Sequence, residues 1–417
     1  RYAQGMTEYK ILRLGHLGDG IAAGPFFAPM TLPGETVTGT PDGQALTDIR
    51  IVTPSADRVT APCRHFKACG GCQLQHGSDN FVADFKLGVV KASLDPHGLE
   101  TVFRPILTSP AQSRRRATFA AKRTKKGAMA GFHARGSDTV LEIPGCQLLD
   151  PKVMDALPIA EKLAVIGTSR KAVLAVTVTA SAAGLDISVQ NGKSLDGPLR
   201  QELASLCDTL GLARLTWDGE IIAMRTPPVQ RFGGAKVTPP PGAFLQATPH
   251  GEASLVSAVS EAVGGARHVI DLFAGCGTFS LPLAQKSEVH AIEGDAAMTA
   301  ALDQGWRMAK GLKPVTTETR DLYRRPLLPD EMAKTDAVVL DPPRAGAEAQ
   351  VAEIAKAMPP VVAYVSCNPV TFSRDAATLV SAGYSLDWIQ VVDQFRWSSH
   401  VELVARFTAP EVVRKRR

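Results

Sequence analysis

"VIDLFAGCGTFSLPLA" (Val269–Ala284) sets an apolar run against a glycine turn and then a second apolar run. Gly275 and Gly277 let the backbone turn tightly and approach a ligand closely. A lone G-x-G is a weak signal, and an ordinary turn explains it as well. Its surroundings give it weight. Strand-like and helix-like runs alternate from here on: Val269–Phe273 and Thr278–Gln285, Val289–Glu293 and Ala296–Lys310, Ala337–Leu340 and Glu348–Ala357, Val361–Val365 and Phe372–Ala382. That alternation predicts a doubly wound α/β domain.

The domain closes on "LDWIQVVD" and "HVELVARF", two strand-like runs with no helix between them. Such a hairpin is unusual in a dinucleotide-binding dehydrogenase and suits a class I methyltransferase of Rossmann-like fold. Glu293 ends the second strand in "VHAIEGD", where a carboxylate can bind two ribose hydroxyls. Asp321 is a third acid after the next apolar stretch. NAD and S-adenosylmethionine both fit this arrangement. The third glycine of the dinucleotide fingerprint is missing, so no pyrophosphate cradle is required. Together with the hairpin, this favours S-adenosylmethionine.

Two further strand ends carry chemistry. "DAVVLDPPRAG" stiffens the loop after Asp341 with Pro342 and Pro343, followed by Arg344, and the residue before a proline is pushed out of helical conformation. Asp341 is therefore expected at the carboxyl end of the sheet, where ligands bind in open α/β folds. A plain strand-ending turn reads the same way. "VVAYVSCNPVTFSRD" (Val361–Asp375) ends the next strand at Cys367. Most buried cysteines are small core residues, but this one is expected to open onto the same crevice as Asp341. Downstream, His400 and Glu402 are two apart and share a face if both lie in a strand.

At 417 residues, a prior of roughly 150 residues per domain suggests two or three domains. No apolar run approaches the ~18 residues of a membrane span. The opening "RYAQGMTEYK" has no apolar signal region, and Met6 is read as the true start unless the chain is a fragment. A cytoplasmic, monomeric protein is expected. The net charge of +5 is mild, but "SRRRATFAAKRTKKG" (Ser113–Gly127) concentrates Arg and Lys. A solvated hairpin and a nucleic-acid contact both account for it. The tail "VVRKRR" reads as a solvated terminal run.

Three regions result. Residues 1–60 contain short alternating strands punctuated by Gly-Asp-Gly, Pro-Gly and Asp-Gly, which predicts a small OB-like β-barrel. Residues 61–241 form a central α+β region, with a helix near Asn80–Leu94. Its hairpins pair Arg116–Lys122 with Ala128–Ala134 and Ala172–Thr179 with Leu185–Gln190, and a third turns at Asp218-Gly219. "RTPPVQRFGGAKVTPPPGAFLQ" reads as an irregular linker into residues 242–417, the methyltransferase domain.

The chain has seven cysteines and no secretory signal, so metal binding or catalysis is expected rather than disulfides. "CRHFKACGGCQLQH" groups Cys63, Cys69 and Cys72. Spacing alone leaves zinc and iron–sulfur open, and zinc would draw a fourth ligand from His65 or His76. Cys207 reads as core and Cys276 as incidental to the glycine turn.

In order, "GAFLQ", "DLFAGCGTFSLPLA", "DPPRAG", "SCNP" and "HVE" resemble the RNA uracil-5-methyltransferase family over nearly the whole chain. The likeness is greatest to its 23S ribosomal RNA members, which carry a TRAM domain and an iron–sulfur cluster; the first region resembles that TRAM domain. The resemblance implies Cys367 as nucleophile on carbon 6 of uracil and Glu402 as the base removing the carbon 5 proton. It implies Asp341 at the uracil edge and near the cofactor, Phe244 stacked on the base, and Gln246 touching both cofactor and uracil. Phe273, Gly275, Gly277, Thr278, Glu293 and Asp321 match cofactor positions. Arg344 and His400 are expected beside the substrate, and Arg114, Arg115 and Arg116 on RNA phosphates. Cys146, in "EIPGCQLLD", matches the distant fourth ligand of a 4Fe-4S cluster with Cys63, Cys69 and Cys72. One departure stands out: the family has Asp-x-Phe-Pro before His-x-Glu, whereas "DQFRWSSHVE" has Arg396 and Trp397 there. A transfer RNA target is the alternative within the family. A non-catalytic RNA-binding protein and an amino-group methyltransferase are the alternatives outside it.

Overall fold

The computed structural model describes residues 7–411. Met6 and the tail "VVRKRR", both interpreted above, lie outside the described residues.

The glycine turn sits at the centre of a nine-stranded sheet. His268–Leu272 pairs in parallel with Glu288–Glu293 on one side and Ala337–Leu340 on the other. Val315–Thr319 extends the first side, and Val361–Ser366 the second. The strand order therefore reverses between His268–Leu272 and Ala337–Leu340, which is where open α/β sheets bind ligands. The closing hairpin is present: Glu402–Thr408 runs antiparallel to Val361–Ser366, and Ser385–Asp393 runs antiparallel to Glu402–Thr408.

Both faces of this sheet are covered at its centre, where Ala337–Leu340 and Val361–Ser366 are almost wholly buried and apolar. Ile270, Leu272, Val338, Leu340, Val362 and Tyr364 pack on one side. Val269, Val339, Ala363 and Val365 pack on the other, against the helix Pro249–Val263. That helix precedes the first strand and falls outside the predicted alternation. It starts at a strong signal: Thr248 Oγ1 accepts the Gly251 amide at 2.8 Å, and proline takes the first turn. The helix expected at Thr278–Gln285 shrinks to one turn, Ser280–Leu283.

The first region is a closed five-stranded barrel around Ile11, Ala22, Ala28, Val37 and Leu46. Glu35 anchors it to the following segment. Its buried carboxylate takes Arg58 Nε at 2.5 Å and Arg58 Nη2 at 2.8 Å.

The central region builds a seven-stranded sheet covered by the helices Leu157–Gly167 and Gly197–Thr209. The expected hairpins form: Arg116–Arg123 with Ala128–His133, and Val173–Ser181 with Gly184–Gln190. Asp218 and Gly219 both take positive φ, at 45° and 89°, as the tight turn after Trp217 requires. The linker is less irregular than expected. Gln230–Phe232 and Ala235–Val237 form a small hairpin, because Gly233 and Gly234 supply φ of 55° and 90°.

Residues 79–108, grouped above with the central region, serve the nine-stranded sheet. The helix Asp79–Leu94 places Val90 and Leu94 in that sheet's core. Val102–Phe103 and Leu107–Thr108 then pair in parallel with Ser385–Asp393.

Candidate active site

One cavity of about 700 Å³ opens at the switch point. Its walls come from every strand end singled out above. Phe273, Gly275 and Thr278 come from the first loop, and Glu293 ends the second strand. Asp341 and Arg344 follow the fourth strand, Cys367 the fifth, and Phe244, Gln246, His400 and Glu402 complete the wall.

The cofactor half is shaped by backbone. Phe273 has φ of 62°, strained for a residue with a bulky side chain, at the point where the strand must turn. Its ring packs 5.6 Å from that of Tyr323. Gly277 has φ of 95°, and a Cβ there would meet Leu302 at 2.9 Å, so only glycine fits. Glu293 is held by two amides, Gly275 N to Oε2 and Asp295 N to Oε1, each at 2.9 Å. The fixed carboxylate keeps further lone pairs for hydroxyl donors. Asp321 does not line the cavity. It is exposed after Val315–Thr319 and accepts the Tyr323 amide at 3.0 Å.

The reacting half gathers acids around a thiol. Of the seven cysteines, six are buried and Cys367 alone is partly exposed. Asn368 caps the helix Pro369–Ser381 through Val370 N at 3.1 Å, and its Nδ2 donates to Arg344 O at 2.8 Å. The turn after Cys367 is thereby tied to the loop after Asp341. Burial pushes the Cys367 thiol up to about 11, with Glu402 and Asp341 adding to the rise and Arg344 opposing it. Burial raises Glu402 to about 7, and its bond from Gln394 works against that. Burial, and then Glu402, holds Asp341 well above the usual carboxylate range. His400 is lowered by burial and by Arg344, Lys86 and Arg114, which favours a neutral ring.

The three arginines separate. Arg114 lines the cavity, with its guanidinium 5.9 Å from the Phe395 ring centroid. Arg115 turns inward, is 8% exposed, and pairs with Glu252 while donating to Gln246 O at 3.1 Å. That geometry makes it an internal tie and leaves its guanidinium turned away from an RNA phosphate. Arg116 donates to Gly242 O at 3.0 Å, beside the segment carrying Phe244.

The departure at Arg396 and Trp397 gains a physical account. Arg396 Nη2 donates to both carboxylate oxygens of Asp79 at 2.9 Å, and its Nη1 reaches Ser109 O at 3.2 Å. Trp397 takes φ of 61°, and its carbonyl accepts the Gln73 and Leu74 amides at 2.8 Å and 2.9 Å. The loop that carries Glu402 is docked on the cysteine segment and its helix. Glu402 itself opens the last strand and is 4% exposed.

Cys63, Cys69, Cys72 and Cys146 line a second, small cavity. Arg135 supports their loop by donating to Cys72 O at 2.7 Å and Phe66 O at 3.2 Å. His65 also lines this cavity, whereas His76 instead sets its Nε2 3.3 Å from Thr31 O. Among the described residues, no three His, Cys, Asp or Glu side chains are grouped to hold a single metal ion. The outer side of the cysteine loop faces the large cavity through Gly70, Gly71 and Gln73. Those three, with Phe395, Ser398 and Met298, were not foreseen as lining residues. Neither was Gln394 as a partner of Glu402, although "DQFRWSSHVE" had already been singled out for its departure.

Comparison with known proteins agrees with this geometry. Residues 307–407 match the tRNA (Uracil-5-)-methyltransferase family model. An uncharacterized RNA methyltransferase of Caulobacter vibrioides is 43% identical over 417 residues, covering 97% of this chain and 100% of its own. One from Brucella suis biovar 1 is 41% identical, covering 96% and 97%. The 23S rRNA (uracil(1939)-C(5))-methyltransferase RlmD of Halomonas elongata is 32% identical, covering 99% of this chain and 92% of its own. In fold, the chain is similar to the Pyrococcus abyssi tRNA (uracil-54, C5)-methyltransferase solved with S-adenosyl-L-homocysteine. That likeness has a TM-score of 0.77 at 23% identity, over 97% of this chain and 100% of the other. This chain belongs to the RNA uracil-5-methyltransferase family of S-adenosylmethionine-dependent enzymes.

Proposed function

We propose that the protein methylates carbon 5 of one uridine in 23S ribosomal RNA through a covalent adduct on Cys367. The observation that carries this reading is the meeting of Cys367, Asp341 and Glu402 in one cavity with the Glu293 and Gly275–Thr278 cofactor half. When bound, S-adenosylmethionine supplies the methyl group as an electrophile. The chain's residues do the rest. Cys367 loses its thiol proton to solvent, and the thiolate Sγ adds to carbon 6; the displaced carbon 5–carbon 6 π pair is held as the enolate on the carbon 4 oxygen, which makes carbon 5 nucleophilic. Once carbon 5 carries the methyl, Glu402 accepts its proton. The C–H electron pair forms the carbon 5–carbon 6 double bond, and the S–C bond pair returns to sulfur. Burial favours the protonated form of Asp341, which can donate to a uracil carbonyl, and Arg344 stabilises the thiolate. Phe244, 59% exposed at the rim, stacks on the base. The base has to leave its stack to reach Sγ.

The ribosomal target is supported by the Halomonas relative and by the barrel, read as a TRAM domain. Cys63, Cys69, Cys72 and Cys146 are read as ligands of a 4Fe-4S cluster, supported by four buried thiols around one cavity. A cluster there would staple the cysteine loop to the Cys146 turn. We place the enzyme in the cytoplasm as a monomer; among the described residues no helix is long and apolar enough to cross a membrane. Mass mapping of 5-methyluridine in ribosomal and transfer RNA from a deletion strain tests reaction and target together. Loss confined to transfer RNA would move the target, and no loss in either would remove the function. Anaerobic purification with iron and zinc analysis tests the cluster, and stoichiometric zinc without iron would exclude it.

A further inference from the structure

Gln394 is 1% exposed and precedes Glu402 by eight residues. Its amide orientation follows from its partners. The Ala247 amide, which can only donate, lies 2.8 Å from Oε1. The other end is therefore the NH2 group, which reaches Gln246 Oε1 at 2.6 Å and Glu402 Oε2 at 3.1 Å. Gln246 is itself 1% exposed and lines the cavity. Its carbonyl oxygen is engaged, so its own NH2 is the end left to meet a ligand. Glu402 Oε2 is likewise engaged, so Oε1 is the oxygen left to receive a proton.

We propose that Gln394 is a positioning residue for base recognition and proton removal. It holds Gln246 with its NH2 toward a carbonyl oxygen of uracil, and Glu402 with Oε1 toward the proton on carbon 5. The inference rests on Cys367 as nucleophile and Glu402 as base. An ionised glutamate at this position would still accept from Ala247 but could donate to neither Gln246 nor Glu402, and a protonated one could donate to only one of them.

The test uses full-length wild type, Gln394→Glu and Gln394→Leu on two RNA transcripts, one with uridine and one with 5-fluorouridine. Fluorine on carbon 5 blocks proton removal, so wild type should form a denaturant-stable complex with the second transcript. Both variants should form it too, because Cys367 is intact. On uridine RNA both variants should accumulate a methyl-labelled covalent complex, with kcat down roughly 10-fold or more and KM changed less. A packing role would spare the near-isosteric Gln394→Glu. If wild type traps fluorinated RNA while Gln394→Glu turns over uridine RNA at the wild-type rate, the inference is overturned. Loss of trapping in both variants would also overturn it, by showing a collapsed site. Absence of trapping by wild type would instead overturn the covalent reading beneath it.

Discussion

Replacing Lys86 with methionine strips the cation that pairs with Asp393 where the helix Asp79–Leu94 meets the closing hairpin. The two side chains are 0% and 2% exposed, with Nζ 2.5 Å from Oδ1. Nζ also donates to Phe395 O at 3.1 Å. Burial pushes the ammonium down, and Asp393 pulls it back up. Breaking a buried pair from one side leaves an uncompensated charge and costs about 3–5 kcal/mol. At the size of the methyltransferase domain each kcal/mol moves Tm by about 2–4 °C, so Lys86→Met should melt about 6–20 °C lower. Calorimetry on the purified protein measures this directly. Lys86→Met/Asp393→Leu removes both charges and should regain most of the loss. Since Phe395 and Gln394 lie beside the pair, the single variant should also lose kcat. A melt within about 2 °C of wild type, with activity intact, would refute the reasoning.

Four other expectations follow. Glu402→Gln should lower kcat by about 10²–10⁴ and leave methylated RNA bound to Cys367. In wild type the base must be ionised, and burial sets Glu402 at about 7, so kcat should rise as pH climbs through that value; a flat profile there contradicts the assignment. Asp271 is buried, accepts from Ser280 Oγ at 2.5 Å and is raised to about 7 by burial. Its folded pKa exceeds the unfolded value near 3.9, so its stabilising contribution is complete below about pH 4 and is lost as pH rises through about 7. Asp271→Asn should flatten that part of the Tm-versus-pH curve, and parallel curves would exclude the effect. Phe244→Ala should weaken RNA binding by about 1–3 kcal/mol with little change in Tm, as filter binding and a melt would show.

The α/β half was legible because its central strands are buried on both faces and several strands end on residues with unusual chemistry. Glu293, Asp341 and Cys367 all sit where a strand-end reading puts them. The hairpins were legible from Asp218-Gly219 and alternating runs. What escaped was non-local. Nothing near Val102 announces that it pairs with Trp388. The buried role of Arg115 depends on Glu252, far along the chain. Lys86 left a trace that went unread: Val82, Lys86, Val90 and Leu94 share the buried side of one helix, so a lysine there needs a buried anion. Gln394 left none, because an amide between Asp393 and Phe395 has no pattern of its own.

Val102–Phe103 and Leu107–Thr108 cover the flank of Ser385–Asp393, whose residues Trp388 to Asp393 are all buried. Without them that flank would be a bare, apolar edge of unpaired amides and carbonyls, a template for association with other chains. A piece cut at residue 242 would carry every residue assigned to the chemistry and still lack this cover. During synthesis the covering strip leaves the ribosome first and waits for the strand it protects. The N-terminal half thus supplies an edge cover that the catalytic half's own strands lack.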